Sequence, residues 1–518
     1  MANAFMENLW KNDRLLFLLY ILIIIYLMWN TGLVSDDFDI MARVKGKSLV
    51  EALIPKSTIM FVETPLGYLF FYIWYYFASA WNSAIVDVMK IVYIILAFYM
   101  IYKFFSIYFD NRHAMLTSFL FLFFPSHDAT VYWFMVQYLT LSFAFYLYAY
   151  YLTQREQLLP AFLFALAGSF ISYGSPIIAV SLFMLTVLNR HVKKGFILLV
   201  PNVIYSVYYI VIAKMISIGV DKLPKRPDIY AIAKQFVLQM ATFADAVLGP
   251  SMWLKIYYAF VQLSFASVII GILATGLYYA LYDKIKTQRD TKLVISLFSM
   301  TIVAFFVLSL TGLYPQLAFN LGNRVTIFGS LLVVYLLISA GIQRGIGAIL
   351  FAVFIFAILG ISDHWKSWNA HQQTVIYKMA TNKDLAEYSG TEIVFISGNQ
   401  YSKYGPISNI EFLSEWFVAG PVLKLALGSQ ANGAPINKRF RYANNLLTDP
   451  KNDVAVKVRE YINVYDSEND IFFKLYAKDI NSYIASLPYD KRHWVELVDS
   501  SLLRDMIKWL MPRLKYEL

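Results

Sequence analysis

The sequence predicts a polytopic α-helical membrane protein of about eleven transmembrane helices, followed by a mixed α/β domain. Three observations carry that expectation. The 518 residues are 59% hydrophobic and only 15% charged, with a mean hydropathy of +0.54. Soluble chains carry about 25% charged residues, so a soluble enzyme of ordinary composition is excluded. The apolar excess is uneven: residues 1–362 form hydrophobic blocks cut by short polar loops, whereas residues 363–518 have the composition of a soluble domain. Finally, aromatics reach 18%, which suits belts at a membrane interface.

The elements follow in chain order. A span needs about 20 mostly apolar residues. Leu15 to Trp29 follows Lys11 and Arg14 and lacks a small-residue cleavage site, so it reads as a retained anchor and not a signal peptide. A polar loop is expected from Thr31 to Glu63. Pro65 then opens a Tyr- and Trp-rich stretch that suits a helix lying at the interface. Further spans are expected at 84–105, 114–124, 133–152, 158–171, 175–188, 195–217, 256–282, 292–312, 325–342 and 345–361. With the N-terminus inside, the cytoplasmic loops hold Lys103, Arg112, Arg155, Lys194, Lys286 and Arg344, among others. The short outside loops hold only Arg324. An odd number of spans then makes the C-terminal domain extracytoplasmic.

Within that domain, Ile393 to Ile396 and Val454 to Tyr465 read as strands. Ile410 to Leu427 and Trp494 to Leu510 read as amphipathic helices. It contains no phosphate loop or nucleophile elbow, and His364, His371 and His493 are too widely spaced for a zinc site. The chain has no cysteine, which excludes disulfides and thiolate metal sites. Its net charge of +10 is expected to meet membrane lipid headgroups, and no basic run suggests nucleic acid as a partner.

Candidate chemistry gathers at the outside loops. Ser35-Asp36-Asp37-Phe38-Asp39 places three carboxylates just past the first span. Carboxylates beside hydrocarbon are costly unless solvated or paired; the competing reading is a helix cap or turn. Asp128, in the His127-Asp128 loop, is a second acidic point, either catalytic or the N-cap of the next helix. Paired carboxylates suit general-base work or a divalent ion. Arg324 precedes a predicted helix, where a dipole favours an anion, and its guanidinium matches phosphate geometry; the alternative is a snorkelling interfacial Arg. Lys222, Lys225 and Arg226 form a further basic group, suited to headgroup contact or lipid phosphate.

These residues resemble the membrane glycosyltransferases of the GT-C superfamily. The resemblance rests on Asp36-Asp37, on the Thr64-Pro65-Leu66-Gly67-Tyr68-Leu69 stretch, and on His127-Asp128, and spans roughly residues 10–360. It is most similar to bacterial enzymes that use polyprenyl-phosphate sugars, including those that glucosylate O-antigen or other surface polysaccharide. It implies an inner-membrane enzyme with a polyprenyl-phosphate-sugar donor, a glycan acceptor and an extracytoplasmic active site. The general base falls on Asp36 or Asp37, without a choice between them. Arg324 would stabilise the leaving phosphate, and Asp128 would orient the base or acceptor. His127, Gln137 and Tyr314 would contact sugar or phosphate. The family's metal-binding Asp-x-Asp is absent at Asp128, where Thr130 occupies the last position; Asp37 and Asp39 have that spacing and are the candidates for a Mg or Mn ion, whose requirement stays open. A polyprenyl-diphosphate glycan ligase or polymerase, a transporter and an assembly scaffold are the rival readings.

Overall fold

The computed structural model describes residues 13–53, 64–215, 229–282, 289–311, 316–387 and 392–488, with 502, 505 and 509. Lys222, Lys225, Arg226, Tyr314 and most of the predicted 494–510 helix lie outside the described residues. Among the described residues, six helical stretches are long and apolar enough to cross a membrane. By length and composition the chain is an integral membrane protein.

Several predicted spans coincide with helices: Ala84–Phe105, Leu158–Ile171, Ser175–Leu188, Val192–Met215 and Thr291–Thr311. Others differ. The 256–282 stretch is two helices, Pro250–Val261 and Phe265–Leu281, because Ser264 caps the second by accepting from Ser267 N at 3.2 Å. Most of the expected long loop at 218–255 is helical, with Ile229–Val247 leading into Pro250–Val261. The polar loop after the first helix folds too, into Asp36–Val44 and Leu49–Leu53. Pro65 opens the Pro65–Ala80 helix at its first turn.

The compositional boundary at 362 falls inside one continuous helix, Arg344–Thr381. Its 38 residues span about 57 Å, against a hydrocarbon layer of about 30 Å. Its C-terminal half therefore extends beyond one such layer towards the C-terminal region, burying Ser362, His364 and Trp365 as it goes. The first helix, Asp13–Met28, meets it through Ser362 Oγ, which donates to Leu27 O at 2.7 Å.

The C-terminal region holds three small sheets. Strands Gly433–Pro435, Val394–Ser397, Tyr461–Asp466 and Ile471–Tyr476 lie side by side in that order, the last pair antiparallel. Arg441–Ala443, Leu446–Asp449 and Val454–Lys457 form an antiparallel meander. Thus 454–465 is two strands in different sheets. Tyr401–Tyr404 and Ile407–Glu411 make a hairpin, followed by the Trp416–Leu427 helix. The predicted 410–427 helix therefore begins as a strand, because Gly405, at φ 56°, turns the chain just before it. Short apolar runs do not separate strand from helix by period alone.

One hydrophobic core runs from the membrane helices into this region, taking in Phe38, Tyr404, Ile410, Phe412, Val418 and Leu423. A second core lies between the four-stranded sheet and the meander, around Phe395, Phe440, Leu447 and Val464. At the opposite end of the bundle, basic residues pair across helices. Arg112 approaches Asp13 at 3.7 Å, and Lys292 Nζ donates to Asn189 Oδ1 at 3.1 Å.

Candidate active site

The site forms where three segments meet: the turn 30–36, the segment 125–136, and the turn 320–326. The first turn is tightly built. Asn30 and Gly32 have φ of 62° and 64°. A Cβ at Gly32 would sit 1.8 Å from the Asn369 side chain, so only glycine fits. Gly32 N donates to Asp87 Oδ1 at 2.9 Å, and Lys90, one turn on, donates to Gly32 O. Asp87 and Lys90 also form an i,i+3 pair, at 3.4 Å. Ser35 follows with φ 50° and ψ −117°, a conformation rarely tolerated outside glycine.

Asp36, Asp37 and Asp39 occupy the first turn of the Asp36–Val44 helix, yet their carboxylates have different surroundings. Asp37 is fully buried. It accepts from Val34 N at 2.9 Å and Met135 N at 3.3 Å, and from the Tyr75 hydroxyl. Burial raises it to about 6, against the opposing pull of Lys90 and these donors. Asp39 pairs with Arg43 at 2.5 Å on the next turn. The two residues with metal-type spacing thus have separate partners. Among the described residues no three His, Asp or Glu converge on a metal-sized point. The pair does not fit an ion.

Asp36 is half-buried, and no described residue donates a hydrogen bond to its carboxylate. Burial pushes it up to about 7, reinforced by the charges of Glu411 and Asp37 and opposed by Arg324. Glu411 comes from the C-terminal hairpin, and its Oε1 accepts from Ser35 Oγ at 2.5 Å. Sequence reading missed this residue because its segment was assigned to a helix. No local motif marks it.

Arg324 sits in the 3₁₀ turn Leu321–Thr326, which leads directly into the Ile327–Ser339 helix. Its guanidinium packs over Trp133, 5.2 Å from the ring centre, and donates to Leu321 O at 3.3 Å. The turn is stitched to the 125–136 segment. Asn323 Oδ1 accepts from Ala129 N at 3.2 Å, and Thr326 Oγ1 donates to Ser126 O at 2.7 Å.

Asp128 does not join Asp36. It is buried, with no side-chain capping bond to the following turn. Its oxygens accept from Lys255 Nζ at 2.6 Å, Trp365 Nε1 at 2.8 Å and the Asn323 amide. Those contacts occupy both of its oxygens and make it a strut beneath the Arg324 turn. His127 is likewise enclosed, between Phe121 and Phe124, with Nδ1 2.9 Å from Thr130 Oγ1. Gln137 Nε2 donates to Val131 O and braces the same segment. The His127-Asp128 loop, expected at the outer face, is buried throughout, because Val131, Tyr132, Trp133, Phe134 and Met135 draw it into the core.

The sequence matches no family profile and no curated protein. The structure is similar to an archaeal oligosaccharyltransferase from Archaeoglobus fulgidus, solved in complex with an inhibitory peptide and a dolichol-phosphate. The match has 12% sequence identity and a TM-score of 0.38, and covers 80% of this chain and 64% of that one. This chain therefore spans less than two thirds of that protein's length.

Proposed function

We propose that this protein is a GT-C-type glycosyltransferase of a bacterial inner membrane. It moves a sugar from a polyprenyl-phosphate donor to a hydroxyl of a cell-envelope glycan or lipid-linked acceptor, at the extracytoplasmic face. One observation carries the reading: Asp36, a carboxylate with no hydrogen-bond donor among the described residues and raised to about 7, lies within the field of Arg324, where membrane helices meet the C-terminal region. The gathering of Arg112, Lys292 and their partners at the opposite end supports this orientation.

In this reading Asp36 is the general base. Asp37 is unsuited, because its lone pairs already face Val34 N, Met135 N and the Tyr75 hydroxyl. The acceptor hydroxyl gives its proton to Asp36 as its oxygen bonds to the anomeric carbon, with inversion. The bond from that carbon to the phosphate oxygen breaks, and its electron pair leaves with polyprenyl phosphate. Arg324, fixed by Trp133 and Leu321, stabilises the charge that develops there. A base near pH 7 has the proton affinity that this work requires.

The test uses protein in nanodiscs with a panel of radiolabelled polyprenyl-phosphate sugars and cell-envelope glycan extract. Wild type transfers label from at least one donor, and Asp36→Asn does not. Transfer by Asp36→Asn at the wild-type rate removes the base assignment. No transfer by intact wild type across the panel removes the donor class.

A further inference from the structure

We propose that the strand Ile407–Glu411 of the C-terminal hairpin sets the spacing between Asp36 and Arg324, with Asn409 and Glu411 as positioning residues. The catalytic consequence rests on the glycosyl-transfer reading above, whereas the geometry does not.

Alternate residues of a strand share one face. Here that face reaches both halves of the site. Asn409 Oδ1 accepts from Asn320 N at 2.8 Å, and Glu411 Oε1 accepts from Ser35 Oγ at 2.5 Å. Each tethered residue immediately precedes functional chain: Asn320 is the N-cap of the turn carrying Arg324, and Ser35 precedes Asp36. Both are non-glycine residues at positive φ, 60° and 50° respectively. Such conformations persist only where neighbours hold them, and this strand supplies one hold to each. Phe412, the next residue, packs on Phe38 with ring centres 5.5 Å apart, pinning the helix that begins at Asp36.

The strand is in turn anchored to the long membrane-derived helix. His364 stacks on Tyr404 at 4.0 Å, and its Nε2 lies 2.9 Å from Ser402 Oγ, which accepts from Ile410 N at 2.9 Å. The soluble region is therefore a structural part of the site. Glu411 also acts through its charge, being the largest electrostatic contribution that raises Asp36.

The test has one arm for geometry, one for charge and one for turnover. The chain has no cysteine, so Ser35→Cys with Glu411→Cys supplies the only thiols. A short bis-methanethiosulfonate should link them in folded, nanodisc-held protein; failure to link, with both thiols reactive singly, overturns the tether. Carbodiimide modification of Asp36 followed against pH by mass spectrometry reads its protonation without any substrate. Glu411→Gln should move that midpoint down by about one pH unit, and an unmoved midpoint overturns the coupling. In the transfer assay, Asn409→Leu should lower kcat on the order of 10²-fold with little change in KM and no shift in the pH profile. Glu411→Gln should lower kcat and carry the acid limb downward. Wild-type turnover in both variants overturns the positioning role. Linked thiols and a moved midpoint without any sugar transfer by wild type would instead remove the glycosyl-transfer reading and leave the clamp standing.

Discussion

Asp36 and Asp37 are adjacent, yet their environments differ, and the proposed mechanism gives them opposite tasks. Asp36 faces Glu411 and Asp37 as like charges, so Asp36→Asn relieves repulsion; the variant should melt at or above the wild-type temperature while losing transfer. Asp37→Asn turns an amide toward the Val34, Met135 and Tyr75 donors. It should cost about 1–3 kcal/mol and lower the melting temperature along with activity. Equal melting temperatures for the two variants would contradict this division. The pH profile follows from the same residue. Burial holds Asp36 at about 7, and only its ionised form accepts a proton, so kcat/KM should fall about tenfold per pH unit below that point. The linkage has the matching sign. The folded chain keeps a proton that the unfolded chain releases, so this group's contribution to stability fades as pH rises from the ordinary carboxylate range toward 7. Asp128 belongs to a different class. Its removal as Asp128→Asn leaves Lys255 buried without a counter-charge and should destabilise by about 3–5 kcal/mol, read as a lowered melting temperature in detergent. A variant as stable as wild type would show that Asp128 is no strut.

At the scale of elements, long apolar helices were legible because twenty-residue hydropathy survives any packing arrangement; Ala84–Phe105 and Ser175–Leu188 fall where the pattern puts them. Elements shorter than about a dozen residues were legible only in part: the strand read at 393–396 is there as Val394–Ser397, but others were not. The strand Ile407–Glu411 and the helix Trp416–Leu427 form one apolar run, divided by a turn whose stability is tertiary. That turn is held by Glu415, which pairs with Arg439 at 2.8 Å and Lys451 at 2.8 Å, while Arg439 also reaches Asp449 at 2.9 Å. Hydrogen bonds from Arg439 lead the interactions that hold both carboxylates below their ordinary range against burial. Their contribution is therefore complete at neutral pH and lost as pH falls through the folded-state values. Arg439→Met should leave Glu415 and Asp449 without the guanidinium they share, cost about 3–5 kcal/mol, and make the C-terminal region less stable at neutral pH. Its melting temperature should also depend less on acid than that of wild type. An unchanged acid dependence would mean the network does not hold the turn.

For the whole molecule, the site was half legible. Asp36 and Arg324 stood out because charge beside hydrocarbon is rare, but the groups around them come from far along the chain: Glu411 beside Asp36, and Lys255 and Trp365 on Asp128 behind the Arg324 turn. No local pattern encodes contacts of that separation. The compositional division at 362 is crossed by the Arg344–Thr381 helix, and the main core continues from Phe38 through Phe412 to Leu423. The meander around Leu447 belongs to the second core instead. Local stability follows such cores and not composition. Amides of residues 407–423 should then exchange with solvent as slowly as those of Asp36–Val44, and substitution of Phe38 by Ala should speed both together. Amides of 441–457 should exchange faster and be indifferent to that change. If 407–423 instead exchanges in step with 441–457, the soluble region opens as a separate unit and the continuity of the core does not govern its stability.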